Sequence, residues 1–252
     1  PTRTVMLTVF QERRIAQSCL QKGASGYVSK DSAAEHLGLE SIYPTILGYK
    51  DSVSVGWKFN FSDRILLDSL NITGAYSVDS DLPSDERPNV MIDYTHTVIS
   101  ASPLAGTWSY GAALNGADFY DLVGPTKKSR KGNRFTIGYE KTLLSDGPKN
   151  ASLMLNVNHF SDMDALPRYQ NVPTTFDSFS TFNGLWEYSN IRSSQGAVDG
   201  ERGFRTALGT SVTHVEGDFV PQYLAELDLG FSLPLKNSSI WLRNAVGGPD
   251  GD

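Results

Sequence analysis

Cysteine is nearly absent: Cys19 is the only one in 252 residues, so no internal disulfide can form and no cysteine-based metal site can be built. Histidine is almost as scarce. His36, His96, His159 and His214 stand alone in the sequence, without the spacing of a ligand pair. The Gly-x-Ser-x-Gly, P-loop, His-Glu-x-x-His and Cys-x-x-Cys spacings are missing, which removes the usual nucleophile, phosphate and zinc signatures. The expectation is a non-enzymatic chain with no cofactor. No apolar run reaches the ~18 residues of a membrane-crossing helix. Surplus positive charge is lacking too: 22 Lys and Arg stand against 28 Asp and Glu, net -6, which argues against nucleic acid as a partner. The single basic run, Lys127-Lys128-Ser129-Arg130-Lys131, reads as a solvated loop. No leader peptide is evident at Pro1-Thr2-Arg3-Thr4, so the front of the chain reads as cut, and its end at Asp252 as equally arbitrary.

What is present falls into two unlike parts. Residues 1–38 read as strand, helix, strand and helix start. Val5-Met6-Leu7-Thr8-Val9 is the apolar run of a buried parallel strand. Ile15 with Cys19 and Ala16 with Leu20 keep helical i,i+4 spacing, and Gly23 follows as a stop. Tyr27-Val28 makes a second short strand, after which Asp31 or Ser32 caps a further helix containing Ala33, Ala34 and Leu37.

Met6-Leu7-Thr8 together with Lys22-Gly23-Ala24-Ser25-Gly26-Tyr27-Val28-Ser29-Lys30-Asp31 resembles the carboxyl-terminal third of a receiver domain of the NarL/LuxR response-regulator group. The resemblance implies that Thr8 is the hydroxyl sensing a phosphoryl group, Tyr27 the switch aromatic and Lys30 the cation that meets phosphoryl oxygens. An ammonium suits that role chemically. The family's phosphoacceptor Asp and acidic pair belong to earlier strands that this sequence does not contain. Without them phosphoryl transfer has neither nucleophile nor metal, and the three residues are expected to be remnants.

From residue 41 the period becomes two. Val53, Val55, Trp57, Phe59 and Phe61 alternate with Ser52, Ser54, Gly56, Lys58 and Asn60, one apolar and one polar face of a strand. The pattern returns through Leu70 to Val78, Val90 to Val98, Trp108 to Leu114 and Phe135 to Tyr139. Candidates at 151–159, 179–189, 203–214, 222–232 and 238–246 bring the expectation to roughly ten strands. Strands of about nine to eleven residues suit a tilted membrane crossing better than a soluble sandwich. Registers rich in Ser, Thr, Gly and Asn suit a wet lumen, and Trp, Tyr and Phe near strand ends suit a lipid-facing girdle. Connections at 62–69, 99–106 and 143–150 are short and those at 79–89, 116–133 and 160–178 long, an alternation that 190–202 breaks. That segment is expected to fold inward, or the strand count to be off by one there. Asp118 and Asp121, flanking Phe119-Tyr120, are expected in a loop.

Four separated motifs carry a second resemblance: 118–132, beginning Asp118-Phe119-Tyr120-Asp121; Leu166-Pro167-Arg168-Tyr169-Gln170-Asn171-Val172; Gly196-Ala197-Val198-Asp199; and Asn237-Ser238-Ser239-Ile240-Trp241-Leu242-Arg243. Over about residues 40–247 the chain is similar to the carboxyl-terminal barrel of bacterial proteins that join a TolB-like propeller to a surface-antigen barrel, akin to the outer-membrane assembly factor. The resemblance implies a bacterial outer-membrane location and a role in protein insertion or transport. Its partners would be outer-membrane lipid and other outer-membrane or periplasmic proteins. It also implies an Arg-bearing loop turned into the lumen, with Arg192 or Arg202 against Glu187, Glu226 or Asp228 as the candidate pair; the other reading of the 196–203 segment is a plain exposed turn.

The expected architecture is therefore mainly β: an incomplete antiparallel up-and-down membrane barrel over 39–252, preceded by a short α/β receiver fragment over 1–38. The alternative is a cytoplasmic phosphorelay protein defined by the receiver remnant. A soluble β-sandwich binding module would instead require the aromatic registers to be buried between two sheets.

Overall fold

Period-two alternation becomes a ladder of paired strands throughout the chain. The computed structural model describes residues 5–8, 26–29, 37–49, 52–100, 102–121, 128–165, 176–196, 199–235 and 237–249, and it divides into two units, Pro1–Asn115 and Gly116–Asp252. No helix occurs among the described residues.

In the first unit β1 (Val5–Thr8) and β2 (Gly26–Ser29) pair in parallel, with Thr8 opposite Ser29. The helices expected after residue 11 and after residue 31 lie outside the described residues, as does Lys30. Next come β3 (Gly38–Tyr49), β4 (Ser52–Ser62), β5 (Asp68–Ser77), β6 (Pro88–Val98) and β7 (Gly106–Asp121), of which the part up to Asn115 belongs to this unit. Each pairs antiparallel with the next, as short connections between consecutive strands require. β3 had no strand pattern in sequence for two local reasons. A register shift between Leu39 and Ser41 interrupts its alternation, and Pro44 sits in its middle. Proline lacks a ladder donor and is tolerated on an edge strand, and among the described residues β3 has a ladder partner on one side only, β4.

The second unit is a six-strand meander: β8 (Lys128–Asp146), β9 (Lys149–Ala165), β10 (Phe179–Arg192), β11 (Arg202–Val215), β12 (Asp218–Ser232) and β13 (Ser239–Pro249). The β11–β12 hairpin closes over Glu216 and Gly217, both at positive φ (51° and 96°), the backbone of a tight primed turn. Two sequence expectations are corrected. Asp118 to Asp121 lie in β7 rather than a loop, because the strand runs on past its recognisable alternation. Of the basic run, Lys127 lies outside the described residues, and the part described is not in a loop. Residues 128–131 are in β8, and Lys131 is only 6% exposed beside a register shift at Gly132. A Cβ at Gly132 would come within 2.8 Å of the Ser161 carbonyl.

Directly opposed residues share a face, so the registers define two surfaces in each unit. In the first, Val55 opposes Tyr76; Phe59 opposes Ile72, which opposes Ile92; and Phe61 opposes Leu70, whose row continues through Tyr94 and Tyr110. The other surface carries Ser41, Asn60, Asn71 and Asp93 in one row and Ser54 with Ser77 in another. Burial is inverted relative to a soluble sheet. Val55 is 47% and Trp57 53% exposed, while Ser77 is 2% exposed and Ser54, Thr73 and Asn89 are buried. The second unit repeats this: Ile137, Leu208, Leu227, Leu242 and Val246 are exposed on one side. The other side presents Thr136, Asn158, Thr181 and Thr213 in register. Among the described residues, buried apolar clustering is confined to Phe160 and Met163 with Phe179 against them.

Candidate functional site: the polar face of the second unit

The polar surface of the second unit is held by cross-strand side-chain hydrogen bonds. Thr136 Oγ1 donates to Asn158 Oδ1 at 2.8 Å, Asn158 Nδ2 to Thr181 Oγ1 at 3.1 Å, and Ser211 Oγ to Asn183 Oδ1 at 2.8 Å. Hydroxyl and amide groups that satisfy one another across strands make a surface that water can also bond.

Further along the same face the lining becomes charged. Register places Glu187, Ala207, Glu226 and Ala245 in one row, and Ser189, Arg205, Asp228 and Arg243 in the next. Arg205 donates from Nη2 to Glu187 Oε1 at 2.5 Å, a diagonal contact between neighbouring rows, with Glu226 and Asp228 also acting on the Arg205 charge. The three acids singled out from sequence are thus brought together, but the guanidinium that meets them is Arg205. Arg192 and Arg202 oppose each other at the ends of β10 and β11. They have even spacing from Tyr188 and Phe204 and odd spacing from Glu187 and Arg205, so they belong to the opposite face. Arg205 was readable in principle, since it lies two residues from Ala207, the register partner of Glu187; knowing this required the pairing.

A tethered loop borders the charged rows. The β10–β11 connection, 193–201, is long and falls at the same strand ends as the two-residue turn 147–148, the break in alternation noted in the sequence. Its Gly200 carbonyl accepts from Trp241 Nε1 at 3.0 Å. Trp241 stands in the row Ile191, Gly203, Gly230, Trp241, next to that of Arg205 and Arg243. Glycine is required beneath and beside the indole. A Cβ on Gly230 would lie 2.6 Å from the Trp241 ring, and one on Gly200 would lie 2.3 Å from Ile191. The Glu201 carboxylate accepts from the Ser194 N–H at 2.8 Å, and Ser194 Oγ donates to Asn237 at 3.1 Å, joining the loop to the 233–238 turn. The described ends of the loop are therefore fastened beside the polar face by a backbone carbonyl on an indole and by Ser194, not by an arginine on an acid.

A hollow of ≈ 500 Å³ lies where Gly184, Gly209 and Gly248 withhold side chains beside Tyr223 and Leu224. It contains none of the charges of the ladder. No group of three His, Cys, Asp or Glu that could hold a metal occurs among the described residues. His159 meets Ser180 at 2.9 Å and His214 packs on the ring of Phe219, whereas His96 shares Asp68 with Tyr94. Of the receiver positions, Thr8 and Tyr27 are in β1 and β2, opposite Ser29 and Met6 respectively.

No family model, no curated protein and no solved structure matches the chain.

Proposed function

We propose that the chain is a segment of a bacterial outer-membrane β-barrel of the surface-antigen type, non-enzymatic, acting in protein insertion or transport across that membrane. Its partners would be outer-membrane lipid and other outer-membrane or periplasmic proteins. The observation that carries this reading is the inverted burial: apolar registers point to the open side and hydroxyl and amide registers to the covered side. In water that arrangement is costly, at about 25 cal/mol for each Å² of apolar surface left wet. In a bilayer the same face is satisfied, as is a backbone whose groups are paired between strands. The strands of the second unit, 11 to 19 residues each, meet the roughly nine to eleven that a tilted crossing needs.

The cysteine scarcity makes a clean test. With Cys19 replaced by Ser, cysteines at Ile92 and Asp93 sit on adjacent, opposite-facing positions of β6. In cells, a charged maleimide is expected to label the Asp93→Cys chain and to spare the Ile92→Cys chain. Equal labelling of both would remove the membrane assignment.

A second reading, the phosphorelay protein, is favoured by one observation: the parallel β1–β2 register ends on Thr8 opposite Ser29, with Lys30 next in sequence. It requires the intact protein to fractionate with the cytosol, whereas the barrel reading requires the outer-membrane fraction.

A further inference from the structure

The apolar face of the first unit ends in a polar and aromatic row. Asp68 opposes His96, and His96 opposes Trp108. One carboxylate oxygen of Asp68 accepts the Tyr94 hydroxyl at 2.6 Å and contacts His96 Nδ1 at 2.6 Å. The Tyr94 ring lies 6.4 Å from that of His96, 13° off parallel, and 6.2 Å from that of Tyr110, 20° off parallel. A fixed carboxylate oxygen, three aligned rings and an indole thus share one rim of two adjacent rows, Phe61, Leu70, Tyr94 and Tyr110 in one and Asp68, His96 and Trp108 in the other. The adjoining turn, 63–67, is held by Asp63, whose Oδ1 accepts the Leu67 N–H at 2.8 Å, and it exposes the cation Arg64.

Resting on the membrane reading above, we infer that this rim is a recognition point for a lipid headgroup that carries a primary ammonium beside a phosphodiester. The match is one of charge and shape. An ammonium donates to a carboxylate and is attracted to the faces of Tyr and Trp, while the phosphodiester joined to it by a short carbon link is complementary in charge to Arg64 in the adjoining turn. Three rings at the end of an apolar band also sit at the depth where headgroups begin. A quaternary ammonium offers the same charge but no N–H, so the carboxylate separates the two headgroups.

The test uses the full chain with vesicles of phosphatidylglycerol mixed with either phosphatidylethanolamine or phosphatidylcholine, reading both protease protection and the lipid retained after detergent extraction. The expected result is insertion into both, with phosphatidylethanolamine retained preferentially. Asp68→Asn, which keeps an acceptor for Tyr94, should lower that preference by about three- to fivefold, and Tyr110→Leu, which keeps apolar bulk, should lower it without affecting insertion. Insertion with equal retention of the two lipids, or a preference untouched by Asp68→Asn, overturns the headgroup site and leaves the membrane reading standing. Absence of insertion into either vesicle overturns the membrane reading itself.

Discussion

Gly203 holds φ at 129°, and a Cβ there would fall 1.9 Å from the Asn190 carbonyl oxygen. No rotamer relieves a clash with backbone, so Gly203→Ala is expected to cost more than ~2 kcal/mol, read as a lower denaturation midpoint in detergent micelles. Gly248 has nothing within 4 Å of a built Cβ, and Gly248→Ala should change that midpoint by less than ~0.5 kcal/mol. A large effect at Gly248 together with a small one at Gly203 would mean that the β10–β11 backbone is arranged differently. The Glu187–Arg205 pair is the opposite kind of case. Its side chains are 35% and 43% exposed, and a double-mutant cycle should return a coupling of no more than about 1 kcal/mol. Its role is to set the charge of the face rather than to hold the sheet. None of this was visible in the sequence, where Arg192 and Arg202 were the arginines nearest a recognisable motif. Only strand parity separates them from the acids.

At the scale of elements, the 193–201 loop is fastened at its end by the Trp241 indole on the Gly200 carbonyl, beside the bonds of Ser194 to Glu201 and Asn237. Trp241→Phe keeps most of the ring and removes the donor. Losing one hydrogen bond of about 1 kcal/mol should raise the open population of the loop roughly fivefold. Native-state trypsin, which cuts after Arg192 and Arg202, reports this directly: cleavage is expected to accelerate by that factor, and an unchanged rate would show that Trp241 does not hold the loop. Ten of the long strands have a counterpart in the alternating apolar pattern, which is legible because alternate side chains must meet different surroundings. The eleventh, β3, was hidden by its register shift and by Pro44, features that make sense for a strand with one partner. Strands β8 and β9 run to 19 and 17 residues, well beyond their periodic cores. Their ends are paired by backbone rather than marked by side-chain pattern, and the basic run was taken for a loop for the same reason.

Each unit is an amphipathic sheet with its apolar surface uncovered, and at the scale of the whole molecule this governs handling. Without detergent or lipid the purified chain is expected to aggregate, since exposed apolar patches beyond a few hundred Å² drive association. In a mild micelle it should stay dispersed and show far-ultraviolet dichroism dominated by strand. Stable monodisperse behaviour in plain buffer would count against an unpartnered apolar face. By itself the sequence determined that the chain beyond residue 41 is strand-built, because a period of two can satisfy only a sheet with two different sides. The tertiary structure decided which side is covered. A period of two marks two faces without saying which one meets water, and only the registers and the burial they produce show Ser, Thr and Asn turned in while Val, Trp and Leu stay open. Likewise only the ladder decided that Arg205 meets Glu187 and that Trp241 receives Gly200, contacts between residues 18 and 41 positions apart that exist because strands distant in sequence are adjacent in space.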